Sequence, residues 1–352
     1  MSDASIRSSS PDERRATLAL TLVPDVGRIT YDNLIATFCD AVHALHAGIR
    51  PNVATEALAR ADAMLAHAAT RGLELVTETD DDYPALLRDL GDPPAILWRW
   101  GDLSVLRDPV VAIVGTRRAT PYGHRMAREI AGALARAGAT IVSGMALGID
   151  AAAHTAALDA GGRTVAVLGT GADVAYPRAH LALHREIGAR GLVLSELRPG
   201  ARSHGGSFPQ RNRIIAALAR LTIVVEAPVP SGALITARQA IDIGRDVAMV
   251  PGPIDSPQSL GTNEYIRDGA HPITCVGDAL TLAGLSLPPR AAPAIGDETE
   301  VRIWSALGDG AATLDELCAR AALPVSQCLT AVTRLELRGV VECALTGEIR
   351  RR

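Results

Sequence analysis

No lysine occurs in the 352 residues; all 35 residues counted as lysine or arginine are arginine. This excludes a P-loop lysine, a Schiff-base lysine and any lysine general base, so phosphate could be held only by backbone amides and arginine. Aromatic residues make up 3% of the chain, with two phenylalanines, three tryptophans and five tyrosines. The core must therefore be built from alanine, valine, leucine and isoleucine. The five cysteines, Cys39, Cys275, Cys318, Cys328 and Cys343, lie far apart without a CxxC pair. That spacing predicts reduced thiols acting as small buried hydrophobes, with neither a disulfide frame nor a metal site. No run approaches 18 apolar residues, and the polar start MSDASIRSSSPDERR has no apolar signal region. A cytoplasmic protein with no membrane span is expected.

What is present describes a globular chain long enough for two or three domains, 48% hydrophobic and 21% charged. Its net charge of -4 hides an uneven distribution. Residues 1–106 carry 9 arginines against 16 acids, residues 107–245 carry 17 against 9, and residues 246–352 carry 9 against 14. The basic middle has a field suited to a phosphate partner; a scattered solvated surface would give the same count. The acidic N-terminal part is expected to bind protein in preference to DNA.

Hydrophobic periodicity divides the chain. Residues 1–78 are expected to be a small helical domain, with Ala- and Leu-rich helices broken at Pro24, Gly27, Gly48 and Pro51. A turn-rich stretch, DDDYPALLRDLGDPPAILWRWGD, leads to apolar strands at 110–116, 140–144, 164–170, 192–196, 222–227 and 246–252, alternating with amphipathic helices. Short, wholly apolar strands separated by helices predict an α/β domain over 79–285, with a doubly wound, Rossmann-like parallel sheet covered on both faces. A Pro- and Ala-rich linker is expected at 286–297. Three helices and a hairpin over 298–352 predict a winged helix, with Thr313 and Glu316 as a capping box.

Nearly every predicted strand ends in glycine or another small residue before a helix: VGTRRATPYG, VSGMALGID, LGTGADVAYP, EAPVPSGALIT and VPGPID. In a doubly wound sheet these turns gather at the carboxyl edge, where backbone amides and helix N-termini form anion sites without lysine. Arg117 and Arg118 follow the first strand, while Arg211 and Arg213 lie in SFPQRNRII beside Phe208. Arginine forks match phosphate oxygens, and an aromatic ring beside them can stack a base of a single strand.

Catalytic patterns are weaker. His180 and His184 sit in HLALH, which lacks the glutamate of HExxH, and are expected to be surface or packing residues. Asp150 and His154 have i, i+4 spacing, but Asp150 is better placed to complement its helix N-terminus. There is no GxSxG elbow and no GxGxxG followed by an acidic residue on the next strand, which argues against a hydrolase and a dinucleotide dehydrogenase. The expectation is a protein that is not an enzyme and carries no cofactor.

Taken in order, GTRRATPYG, SGMALGIDAAAH, GTGADVAYP, LSELRPG, FPQRNRIIAAL, VVEAPVPSGALITARQA, GRDVAMVPG and GTNEYIRDGA closely resemble the DNA-processing protein A family (DprA, also called Smf) over about residues 83–275. The resemblance implies a dimeric, cytoplasmic single-stranded DNA-binding protein of natural transformation, which protects incoming strands and helps load a RecA-type recombinase. It assigns DNA contacts to Gly115, Thr116 and Arg117, to Ser143 and Gly144, and to Gly169 and Gly171. Further contacts fall to Phe208, Arg211, Asn212 and Arg213, and to Ser231, Gly232 and Thr236. The helical N-terminus looks like the family's sterile-alpha-motif-like domain and the C-terminal region like its winged helix. The chain departs from the family where lysines are replaced, where SHGGS precedes Phe208, and where RAH follows the YP motif.

Two alternatives stay open. The fold also resembles nucleotide phosphoribohydrolases, whose PGGxGTxxE loop carries a catalytic glutamate; PSGALITARQA has Arg238 and Gln239 and no carboxylate. A duplex-binding regulator would instead use Arg334 and Arg338 on the third winged-helix helix, alongside Glu336.

Overall fold

The computed structural model describes residues 10–287, 296–308, 310–344 and 347–351. They form two compact units that divide between Leu287 and Pro288.

The first unit begins with helices α1 (Pro11–Thr21), α2 (Arg28–Phe38), α3 (Ala41–Gly48) and α4 (Pro51–Ala69). Local chemistry sets their starts: the Ser10 hydroxyl accepts from Glu13 N, the Asp40 carboxylate accepts from His43 N, and proline opens α1 and α4. Helix α4 buries Ala54, Ala57, Ala61 and Ala68, a small-residue stripe that lets the helices approach closely.

A nine-stranded sheet follows: β1 (Glu74–Thr77), β2 (Ile96–Gly101), β3 (Val110–Val114), β4 (Thr140–Ser143), β5 (Arg163–Val167), β6 (Leu192–Ser195), β7 (Leu221–Val224), β8 (Asp246–Met249) and β9 (His271–Pro272). Their order is β1-β2-β6-β5-β4-β3-β7-β8-β9. From β6 to β9 every neighbouring pair is parallel. All six predicted strands are present. Strands β3, β4, β6 and β7 are buried along their whole length, as residues covered on both faces must be.

Reading the stretch after residue 78 as turns alone overlooked β2. It pairs antiparallel with β6 on one side and β1 on the other, Trp98 opposite Ser195 and Leu75 opposite Trp98. Such a partly buried antiparallel strand, preceded by Pro93 and Pro94 and ending at Gly101, lacks the continuous apolar signal of the parallel strands.

The connecting helices are α5 (Pro121–Arg136), α6 (Ile149–Asp159), α7 (Leu181–Arg190), α8 (Ser207–Leu218), α9 (Gly232–Asp242), α10 (Leu260–Arg267) and α11 (Val276–Leu282). Ile130 of α5 and Ala153 of α6 pack with Ile113, Ile141 and Ile223 on one face. On the other, Ile214 and Ile215 of α8 and Ala237 of α9 pack with Ala112, Val142 and Val224. The doubly wound class follows from this two-sided burial. The N-terminal helices share a core with Trp98, Ala166 and Val193 near the β2–β6 side.

The second unit contains α12 (Glu298–Leu307), β10 (Ala312–Thr313), α13 (Leu314–Ala321), α14 (Val325–Leu337), β11 (Val341–Cys343) and β12 (Glu348–Arg351). The strands form a β10-β12-β11 sheet around a core including Ile303, Leu317, Leu335 and Ile349, the arrangement of a winged helix. The predicted Thr313–Glu316 capping box is formed. Residues 288–295 of the predicted linker lie outside the described residues.

Burial of the cysteines needs correction. Cys328 is buried and Cys318 partly so, whereas Cys39, Cys275 and Cys343 are exposed. Cys39 ends α2 in a left-handed conformation and Cys275 caps α11, positions at element ends that face solvent. No helix among the described residues is long and apolar enough to cross a membrane.

Candidate nucleic-acid interface

The winding direction of the sheet reverses at β3. The chain runs from β3 through β4 and β5 to β6 on one side, then returns to β7 and β8 on the other. Loops leaving the carboxyl ends of adjacent β3 and β7 consequently diverge and open a crevice, the usual ligand position in such sheets. A cleft of about 390 Å³ lies there.

The β3 loop is pinned from several directions. Thr116 N donates to Glu226 O at 2.7 Å, Ile149 N donates to Thr116 O at 3.3 Å, and Arg118 N donates to the Thr116 hydroxyl at 3.2 Å. The buried Glu226 carboxylate accepts from Thr120 N at 2.9 Å and from the Thr120 hydroxyl. Two glycines make this packing possible. A Cβ on Gly123 would lie 2.2 Å from Glu226 Oε2, and one on Gly148, whose φ is +79°, would lie 2.4 Å from Thr116 O. The anchored loop leaves Arg117 and Arg118 exposed, neither in an ion pair among the described residues.

Helix α8 forms the opposite wall. The Arg117 guanidinium lies over the Phe208 ring, 5.2 Å from its centroid, and the Tyr176 ring lies 5.3 Å from that of Phe208 at 39°. Tyr176 is 41% exposed and lines a small adjoining niche with Arg117, Leu147 and Phe208. Sequence reasoning did not single out Tyr176. Its signal was the rarity of aromatics combined with its place in a carboxyl-edge loop.

The two cations of FPQRNRII have different environments. Arg211 is buried and donates through Nη1 to Gly144 O at 2.7 Å and to Val167 O, tying α8 to the ends of β4 and β5. Burial pushes its pKa down to about 10, with the nearby Asp150 opposing the shift and Arg117 adding to it. Gly144 has no side chain because a Cβ there would lie 2.2 Å from the Arg211 guanidinium. Arg213 is turned away from the crevice: Nη2 donates to Glu196 at 2.7 Å, Nε lies 3.5 Å from Asp92, and the residue lines a different cleft.

The structure therefore brings Gly115, Thr116, Arg117, Phe208, Arg211, Asn212, Ser231, Gly232 and Thr236 to one crevice, with Gly144 in the adjoining niche. Several of these residues hold the walls in place. Asn212 Nδ2 donates to Gly232 O at 3.2 Å, Ser231 caps α9, and Thr236 is buried. Ser143 is fully buried and donates to Ile113 O at 2.6 Å. Gly169 lies behind Phe208, where a Cβ would come within 2.9 Å of the ring. Gly171 is buried in the following loop, its N–H donating to Ala201 O at 2.9 Å.

Asp150 and His154 do not form a pair. The buried Asp150 carboxylate accepts from Gly144 N and Ala146 N, both at 3.2 Å, and burial raises its pKa against the pull of Arg211. His154 Nδ1 instead meets the Thr164 hydroxyl at 2.6 Å. His184 packs against Trp100 with Nε2 2.8 Å from Ala172 O, while His180 Nδ1 lies 3.0 Å from Met145 O.

Residues 74–284 match the family model for DNA recombination-mediator protein A, and residues 287–344 match the DprA winged helix domain. The chain belongs to the DNA recombination-mediator protein A family. A putative DNA processing protein DprA of Mycobacterium tuberculosis is 41% identical over 294 residues, 78% of this chain and 76% of that protein. Protein Smf of Escherichia coli is 35% identical, covering 79% and 77%. The X-ray structure of DprA from Streptococcus pneumoniae superposes with a TM-score of 0.68 at 35% identity, covering 78% of this chain and 98% of that one. DNA processing protein A of Helicobacter pylori, solved to describe a single-stranded DNA binding mode, gives a TM-score of 0.56 at 34% identity, covering 60% and 96%.

In this DprA-family chain the two candidate arginines of the third winged-helix helix are paired with acids. Arg334 pairs with Asp297 at 3.1 Å and Arg338 with Glu300 at 2.8 Å.

Proposed function

We propose that this DprA-family protein binds single-stranded DNA in the crevice between β3 and β7, acts as a homodimer, and passes the strand to a RecA-type recombinase during DNA uptake. The observation that carries this reading is the placement of Arg117, in no ion pair among the described residues, over the Phe208 ring that Tyr176 adjoins, at the switch point of the sheet. Arginine neutralises a phosphate while an aromatic face takes an unpaired base, a combination that favours single strands over duplex. Exposed Arg118 and Arg178 extend the cationic edge, and neither has an ion pair among the described residues. The Helicobacter relative's single-stranded DNA binding supports the same ligand class.

The function needs no bond-making step by the protein. Asp150 is engaged by backbone amides, Arg211 by backbone carbonyls and Glu226 by Thr120, so each polar group beneath the crevice holds its walls.

Fluorescence anisotropy of labelled oligo-dT across a salt series tests the proposal. Wild type binds with an affinity that falls steeply with salt, and Arg117→Ala binds more weakly with a slope shallower by about 0.7 for one lost phosphate contact. Salt-insensitive binding, or equal affinity for duplex, overturns the reading. Recombinase delivery is tested by RecA filament assembly on strands already covered by this protein.

A further inference from the structure

A second cleft of about 670 Å³ lies within the first unit, bounded by α1, α2, the start of β2, the loop after β6 and the far side of α8. Its interior is aliphatic: Leu22, Val26, Met64 and Ile96 line it and are partly buried. Arg198 and Arg202 stand exposed on its border, neither in an ion pair among the described residues. A further donor, Arg213 Nη1, is buried there without a hydrogen-bond partner.

We infer that this cleft docks a short acidic segment of a partner protein, with an aliphatic side chain in the slot and flanking carboxylates on Arg198 and Arg202. Three observations favour a peptide over other anions. The large aromatic residues of the lining, Tyr31 and Trp98, are 2% and 0% exposed, so neither offers a face to stack a base, and the exposed aromatic ring of the lining is the smaller imidazole of His204. The exposed Arg198 and Arg202 share the lining with Asp92 and Glu196, a mixed charge that suits a segment bearing a few carboxylates better than an extended polyphosphate. Asp92, Glu196 and Gln210 also border the cleft and can accept peptide N–H groups, which a fatty acid lacks. This inference does not depend on the DNA reading of the first crevice.

The test uses the full chain and a short fluorescein-labelled peptide of consecutive aspartates followed by isoleucine and leucine. Anisotropy should rise saturably with wild type. The Arg198→Ser/Arg202→Ser variant, altered only at exposed positions, should bind about tenfold more weakly or worse, a loss of about 1.4 kcal/mol or more. A peptide with serine in place of isoleucine and leucine should lose binding, as should one with serine in place of the aspartates. Arg117→Ala should leave peptide binding unchanged even while oligo-dT binding falls, which separates this site from the first. Absence of peptide binding overturns the inference, as does equal binding of the peptide lacking aliphatic residues. It is overturned too if the double variant weakens oligo-dT while leaving the peptide unaffected, for the arginines then belong to a DNA path.

Discussion

The guanidinium of Arg117 and the ring of Phe208 face each other across the crevice at 5.2 Å, although 91 positions apart in the chain. Their roles can be separated because stacking and phosphate neutralisation respond differently to salt. Phe208→Ala should weaken oligo-dT binding by about 1–3 kcal/mol with an unchanged salt slope. Arg117→Ala should change the slope itself. Identical salt dependence in the two variants would show that ring and cation do not act as distinct contacts.

Arg211 is expected to matter for the fold before it matters for DNA. Its removal leaves the Gly144 and Val167 carbonyls without their donor inside the protein, at about 1–3 kcal/mol for each unsatisfied group. Urea unfolding of Arg211→Ala should show this loss even in the absence of DNA. Gly144→Ala should behave similarly, because its Cβ would meet the guanidinium at 2.2 Å. Unchanged unfolding midpoints with lost DNA binding would assign Arg211 to direct contact.

Anchoring of the β3 loop makes a prediction away from any DNA contact. Gly123→Ala drives a methyl group into the Glu226 carboxylate and should cost about 1–3 kcal/mol in stability. The displaced loop carries Arg117 and Arg118, so oligo-dT affinity should fall as well. Calorimetry and anisotropy on the same preparation check both effects.

Acid sensitivity should trace in part to His154. Burial pushes its pKa from 6.5 down to about 3, with Arg211 and His180 contributing in the same direction. The unfolded chain therefore binds a proton between about pH 6.5 and 3 that the folded chain does not. Stability is lost as pH falls through that window, at a slope of no more than about 1.4 kcal/mol per pH unit from this group. His184, also shifted down chiefly by burial, adds in the same sense. His154→Leu should flatten the dependence between pH 6.5 and 4.5 in urea titrations; an unchanged slope would show that His154 is protonated in the fold.

Residues 288–352 should be dispensable for single-strand binding. The crevice lies wholly within the first unit, and Arg334 and Arg338 are paired with Asp297 and Glu300. A chain ending at Leu287 should retain most of its oligo-dT affinity. Loss of all DNA binding would favour the duplex-regulator reading.

The sequence by itself determined the six parallel strands, because residues buried on both faces must be apolar without interruption. It also determined the capping box of α13 and the glycine-bearing turns of the carboxyl edge, since local backbone demands are met by local residues. Only the tertiary structure decided which face of α8 each arginine takes. Arg211 and Arg213 are two positions apart, yet one enters the protein beneath Gly144 and the other pairs with Glu196 in a separate cleft. Strand β2 was decided at the same level, for a partly buried antiparallel strand is defined by its partners more than by its own pattern. Tyr176 becomes a neighbour of Phe208 only when the loop after β5 folds against α8, and no spacing along the chain encodes that contact.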